Sequence, residues 1–165
     1  MKLIKIHNPE NASEEEVAAY AVSYGVRAIV NDQDGNIGMV YISKRKHHKL
    51  VGGEIEKGET VQGALKRECL EELGCNIEVL GEVGQIIEYR KMSSLKKISY
   101  CYLAKVIGLK SNVSFTQEEL DSGIQSLWLP IDEAIKVLAI DKPTDLEGSY
   151  IIAREKAFLE AVKFN

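Results

Sequence analysis

Apolar and polar positions alternate from Met1 to His7, as in a short strand. Pro9-Glu10-Asn11 breaks the pattern before Ser13, which is placed to cap an acidic helical turn at Glu14, Glu15 and Glu16. Tyr24 to Val30 and Ile37 to Ser43 are rich in strand formers, and Asp32-Gln33-Asp34-Gly35-Asn36 between them predicts a hairpin. Lys44 to Lys49 reads as a basic loop and Leu50 to Glu59 as a glycine-bearing one. A helix follows from about Thr60 to Leu73, with Thr60 suited to cap its start and Gly74 to end it in the left-handed conformation.

Ile77 to Tyr89 and Lys97 to Ile107 predict two strands of one sheet, joined by a polar, basic turn from Arg90 to Lys96. Ser111 to Gly123 is a polar, acidic connection to a short strand, Ser126 to Leu129, which Pro130 stops. Asp132 is placed to cap a helix through Leu138, and Asp141 to Gly148 forms a loop before a closing helix from Ser149 to Lys163. That last helix gathers Ile152, Phe158, Leu159 and Val162 near one face, as core packing requires. Strands interleaved with helices predict an α/β or α+β layered architecture, and 165 residues suit one domain spanning 1–165.

The chain is 45% hydrophobic and 28% charged, an ordinary globular balance that leaves the chemistry to the motifs. A formal net charge of -4 argues against a nucleic acid backbone as the general partner. Cys69, Cys75 and Cys101 lack the close spacing of a zinc or redox pair and read as reduced, buried thiols. No segment reaches membrane length, and the opening residues lack a signal peptide's apolar stretch, so the cytoplasm is the expected compartment.

The chemistry concentrates in Gly53 to Cys75, GEIEKGETVQGALKRECLEELGC. At about 100° per residue, Glu68, Glu71 and Glu72 fall within an arc of roughly 100° on the helix, and Leu65, Cys69, Leu70 and Leu73 occupy the neighbouring arc. One side packs on a sheet while three carboxylates face a cleft. Like charges so close repel, which calls for a cation, and hard oxygen donors suit Mg²⁺ or Mn²⁺. Arg67 lies at the edge of the same stripe, where it can brace Glu59 of the preceding loop; Gly52, Gly53 and Gly58 allow that loop to turn tightly. At a typical usage of about 7% per residue, this register of glycines and charges arises by chance at roughly 10⁻⁶, so an ordinary solvated helix is the weaker explanation.

The segment resembles the Nudix box, G-x5-E-x7-R-E-U-x-E-E-x-G-U with U a bulky aliphatic residue, and every charged and glycine position is matched from Gly53 onward. Cys69 and Cys75 stand at aliphatic positions, and Val51 stands where many relatives carry proline. The resemblance implies a Nudix-type α/β/α sandwich around a mixed β-sheet and a metal site made of the Gly52 carbonyl, Glu68, Glu71 and Glu72, supported by Arg67 and Glu59. It also implies a catalytic base, either Glu68 on the helix or a later glutamate, Glu118 or Glu119, with Glu68 ranked ahead.

The expected activity is Mg²⁺-dependent hydrolysis, Mn²⁺ being possible, of a diphosphate linkage in a nucleotide or related small molecule. No mark of the ADP-ribose or NADH subfamilies is present, which leaves a nucleoside triphosphate pyrophosphatase of nucleotide-sanitising type as the leading reading. Removal of pyrophosphate from RNA 5′ ends and a non-catalytic nucleotide-binding sensor are the alternatives, and either a monomer or a homodimer is compatible. Candidate phosphate-binding cations are Arg45 and Lys49 in the first basic run and Arg90, with Lys91, Lys96 and Lys97, in the second; plain surface charge is the competing account of both. His47 and His48 have no evident metal partners, and Trp128 and Tyr89 are more simply core residues than a stacking platform for a base.

Overall fold

The structure is a computed structural model that describes residues 1–163. Its elements are β1 (Leu3–His7), α1 (Glu14–Ala18), β2 (Ala21–Asn31), β3 (Ile37–Ile42), β4 (His47–Leu50), α2 (Val61–Leu73), β5 (Asn76–Arg90), β6 (Leu95–Ile107), α3 (Gln117–Ser122), β7 (Ile124–Leu129), α4 (Ile131–Ile140) and α5 (Leu146–Lys163). The strands form one mixed sheet in the order β1-β5-β6-β2-β3-β4, with β7 also on β3. β1 lies parallel to β5 and β6 parallel to β2, while β5–β6, β3–β4 and β3–β7 are antiparallel.

Strand period 2 divides the core into two layers. Val26, Ala28 and Val30 of β2 turn to one face, where Leu65, Cys69 and Leu73 of α2 cover them. Ile29 turns to the other and packs with Leu138 of α4 and with Phe158 and Leu159 of α5. Helices on both faces of a mixed sheet give the α/β/α sandwich expected from the sequence. Cys69, Cys75 and Cys101 are free and buried, and burial pushes all three thiols up, Cys75 to about 11.

The hairpin predicted between β2 and β3 needs correction. The turn forms as expected, with Asp32 Oδ1 accepting from the N–H groups of Asp34 and Asn36, but the strands pair only at Asn31 and Ile37. β2 gives one edge to β6 along its whole length, and the glycine loop takes the other: Val26 N donates to Gly53 O and Ala28 N to Val51 O, both at 3.0 Å, while Ile55 N donates to Tyr24 O. β3 diverges to pair with β4 and β7. These bonds define the loop's path although valine replaces proline at position 51.

Three other boundaries move. The basic loop ends in strand β4, because His47 and Leu50 bury themselves opposite Ile42 and Met39 of β3. β5 runs through Arg90 and β6 begins at Leu95, so the predicted basic turn shrinks to a 3-10 turn at Lys91–Ser93. The acidic connection contains α3, whose N-cap Thr116 forms a reciprocal capping box with Glu119. Asp132 lies in the first turn of α4, where Pro130 holds the cap position, and α5 starts at Leu146 with Asp145 accepting the Gly148 N–H.

A chain of charges is buried under α5. Arg154 spans Glu88 at 3.0 Å and Glu155 at 2.6 Å, all three within 1% of full burial, and Glu155 also accepts from Arg27. Removing the central cation leaves two carboxylates uncompensated in low dielectric. Arg154→Met should therefore lose about 3–5 kcal/mol of stability in urea unfolding. A loss under about 1 kcal/mol would show that these charges are not coupled.

Candidate active site

The acidic stripe lies on a helix capped at both ends: Thr60 accepts the Gly63 N–H, and Gly74 adopts φ +62° with its N–H on the Leu70 carbonyl. Beyond α2, Ser114 N bonds the Glu71 carbonyl and Ser111 N that of Gly74, so the segment before α3 ties down the helix end. Glu72 is 1% exposed and Glu68 8%, while the Glu71 side chain keeps 41% of its surface. The three carboxylates thus grade from buried to open.

The glycine loop meets this stripe in two ways. Gly52 N donates to Glu72 Oε2 at 2.9 Å, and Gly52 sits at φ +134°, where an added Cβ would fall 2.2 Å from the Val26 carbonyl oxygen. A Cβ on Gly53 would fall 2.2 Å from Glu68 Oε1. Only glycines let the backbone come this close to β2 and to the carboxylates.

Two resident cations neutralise the stripe. Arg67 bonds Glu59 in the two-pronged manner of a guanidinium on a carboxylate, both contacts at 3.0 Å, and reaches Glu68 at 2.9 Å and Glu71 at 3.2 Å. Glu59 foremost raises the arginine's proton affinity, and Arg67 holds the Glu59 carboxyl below its usual range. Lys49 Nζ donates to Glu72 Oε1 at 2.5 Å and to the Gly52 carbonyl at 3.0 Å. Burial, and then the charge of Glu72, raises the Glu68 carboxyl despite Lys49 and Arg67.

Gly52, Glu59, Arg67, Glu68, Glu71, Glu72 and Lys49 are therefore brought together. Arg45 and Arg90 converge elsewhere, on Glu147, at 3.1 Å and 3.6 Å. Arg90 is 9% exposed, also pairs with Glu88, and lines a cavity of about 500 Å³ with Glu10, Met92 and Tyr150. Glu119 Oε2 is engaged by Thr116 N at 2.7 Å and by its hydroxyl at 2.9 Å, bonds that serve the start of α3. Trp128 lies against Leu73 and Gly38 with Lys110 Nζ 3.5 Å above its ring, a wall of the core.

Arg27 escaped the sequence reading. Its Nη1 donates to the carbonyls of Val26 and Gly53, and its Nε to Glu155, so it links the glycine loop to the buried charges under α5. A lone arginine inside the apolar run Val26 to Val30 was the available signal. Lys97, grouped with the candidate phosphate-binding cations of the second basic run, is 8% exposed within β6 and bonds Glu54 of the loop at 2.8 Å.

Among the described residues, no three His, Cys, Asp or Glu side chains are arranged as a ready metal cage. The carboxylates are drawn to Lys49 and Arg67 instead. The donor set nevertheless fits Mg²⁺: it consists of hard oxygens, and positive charge already touches each carboxylate and the Gly52 carbonyl. No helix among the described residues is long and apolar enough to cross a membrane.

The fold matches a MutT protein from Methanosarcina mazei Go1 (TM-score 0.60, 14% identity, 89% of this chain and 97% of that one). It also matches a MutT NUDIX hydrolase from Burkholderia pseudomallei (TM-score 0.59, 21% identity, 86% and 98%). In sequence, diphosphoinositol polyphosphate phosphohydrolase 2 of Rattus norvegicus is 27% identical over 118 residues, which are 71% of this chain and 62% of that protein. An RNA pyrophosphohydrolase of Sulfurovum sp. (strain NBC37-1) is 55% identical over 38 residues, 22% of this chain and 24% of that one. A family model, described as the NUDIX domain, matches residues 22–148. With that match extending well beyond the acidic helix to most of the sheet, the chain belongs to the NUDIX family.

Proposed function

We propose that this chain hydrolyses a diphosphate linkage in a phosphorylated small molecule with the help of Mg²⁺, a nucleoside triphosphate being the leading substrate and Mn²⁺ an alternative ion. The observation that carries the reading is the junction of glycine loop and acidic stripe, where Gly52 N–H grips Glu72 and Gly53 lies against Glu68. The Gly52 carbonyl, Glu68, Glu71 and Glu72 are the groups that would hold the cation. Once bound, it would offset the charge of the diphosphate oxygens and make water more acidic.

The chain supplies the rest. Glu72 ties the loop to the helix, and Arg67 orients Glu68 and Glu71 while anchored on Glu59. Glu68 is assigned as the base that takes the proton of the attacking water: burial, and then the charge of Glu72, raises the proton affinity of its carboxyl, and Arg67 positions it through Oε1. Lys49, bonded to Glu72 and the Gly52 carbonyl, is the cation at this junction that would meet substrate phosphate once released from them. Arg45, Arg90 and Glu119 are left out of the reading because each is committed to partners elsewhere.

A second reading, a 5′-triphosphate on RNA, is favoured by the stretch shared with the RNA pyrophosphohydrolase. One panel separates them: phosphate and pyrophosphate release from nucleoside triphosphates, diphosphoinositol polyphosphates and 5′-triphosphate RNA, with Mg²⁺ and with chelator. We expect release from at least one small molecule, abolished by chelation, and the RNA reading requires salt-sensitive release from RNA instead. No release from any substrate with either ion would overturn both.

A further inference from the structure

Arg67 and Lys49 touch the same acidic stripe but are held differently. Arg67 has anchors outside the proposed metal set, two contacts to Glu59 and one to the Glu54 carbonyl, so it keeps a place when Glu68 and Glu71 turn away. The Lys49 ammonium donates to Gly52 O and Glu72 Oε1, both of them groups assigned to the cation, with its side chain 12% exposed and that of Glu72 2%.

We propose that Lys49 is a built-in placeholder for the divalent cation: its ammonium fills the position between Gly52 and Glu72, and metal binds there by ejecting it. The inference rests on the metal assignment of the proposed function. An ammonium bonded to both oxygens and a divalent ion bonded to the same pair would stand too close in a low-dielectric pocket, so occupancy is exclusive. While in place, the ammonium keeps Glu72 from being a buried charge without a partner, which would loosen the loop from the helix. The exchange therefore keeps the loop–helix junction assembled in either state, and it lowers metal affinity by the strength of the contact that must be broken. On ejection the lysine becomes a free cation beside the phosphates that the metal recruits.

Two measurements test this. Free Mn²⁺, followed by its electron paramagnetic resonance signal, gives Kd for the wild type, for Lys49→Met and for Glu71→Gln at one pH and ionic strength. We expect Lys49→Met to bind about tenfold more tightly, since it deletes the competitor, and Glu71→Gln more weakly. An unchanged or weaker Kd in Lys49→Met, with wild-type binding intact, overturns the placeholder and leaves the metal assignment standing. No Mn²⁺ uptake by the wild type at millimolar concentration removes both. The second measurement needs no variant: acylation of lysines, read by mass spectrometry, should find Lys49 protected without metal and reactive with saturating Mg²⁺, while exposed Lys136 stays constant. Protection of Lys49 that persists at saturation overturns the inference even if Lys49→Met binds Mn²⁺ tightly.

Discussion

Gly53→Ala should lower turnover by about a hundredfold or more while the protein remains folded. The added methyl carbon would fall 2.2 Å from Glu68 Oε1, 2.8 Å from its carboxyl carbon and 3.0 Å from Oε2. It would also fit the backbone, because Gly53, unlike Gly52, is outside the left-handed region. The obstacle is thus a side-chain end, which can move, and the strain is relieved by pushing Glu68 off its position between Arg67 and the loop. A catalytic group misplaced by about 1 Å costs on the order of 10²-fold in rate. Turnover and thermal unfolding measured on the same preparation separate the two effects. A folded Gly53→Ala protein with wild-type turnover would show that the Glu68 position is not used. Gly52→Ala should behave differently, losing stability first, because its Cβ meets the Val26 backbone and its φ of +134° strains an L side chain.

Glu71→Gln should be the cleanest loss of function on the stripe, by about 10²-fold or more with the fold intact. Its side chain is 41% exposed and meets Arg67 at 3.2 Å, an open ion pair worth about 0–1 kcal/mol. Stability therefore hardly depends on its charge, whereas the proposed cation does. The Mg²⁺ concentration for half-maximal rate should rise along with the fall in turnover. Near-normal rates at every Mg²⁺ concentration would remove Glu71 from the cation site. Glu72→Gln is a poorer test. Glu72 accepts from Gly52 N and from Lys49, so an amide there sets a donor against a donor and strips a buried ammonium of its counter-charge, costing about 3–5 kcal/mol.

The sequence showed the helix, its caps and its three carboxylates plainly, because they depend on local spacing: Thr60, Gly74 and the 3.6-residue repeat act within a few turns. The grip of Arg67 on Glu59 was legible for the same reason, both residues lying in one short stretch. Long-range choices were hidden. Nothing local says that β2 would take β6 and the glycine loop as neighbours in place of β3, since the hairpin turn forms either way. His47 and Leu50 became strand because β3 offered them an edge, which a run of basic residues does not announce.

Charged residues were the hardest to place. Lys49 and Lys97 read as phosphate-binding or plain surface cations yet lie beside the glycine loop, on Glu72 and Glu54 respectively, and Arg90 is committed to Glu88 and Glu147. A charge is buried only where folding supplies its partner, and for Arg154 and Glu88 that partner lies 66 positions away along the chain. Spacing on one element cannot reveal such pairs. It does reveal Glu68, Glu71 and Glu72, which share one.

Loop and stripe are proposed to hold a divalent cation jointly against a diphosphate. A crystal structure of the protein soaked with Mg²⁺ and a non-hydrolysable diphosphate analogue tests it directly. We expect a cation about 2.1 Å from the Gly52 carbonyl and from carboxylate oxygens of the stripe, with phosphate oxygens in the same shell. A cation seated elsewhere, or none beside the stripe at saturating Mg²⁺ and analogue, would contradict it.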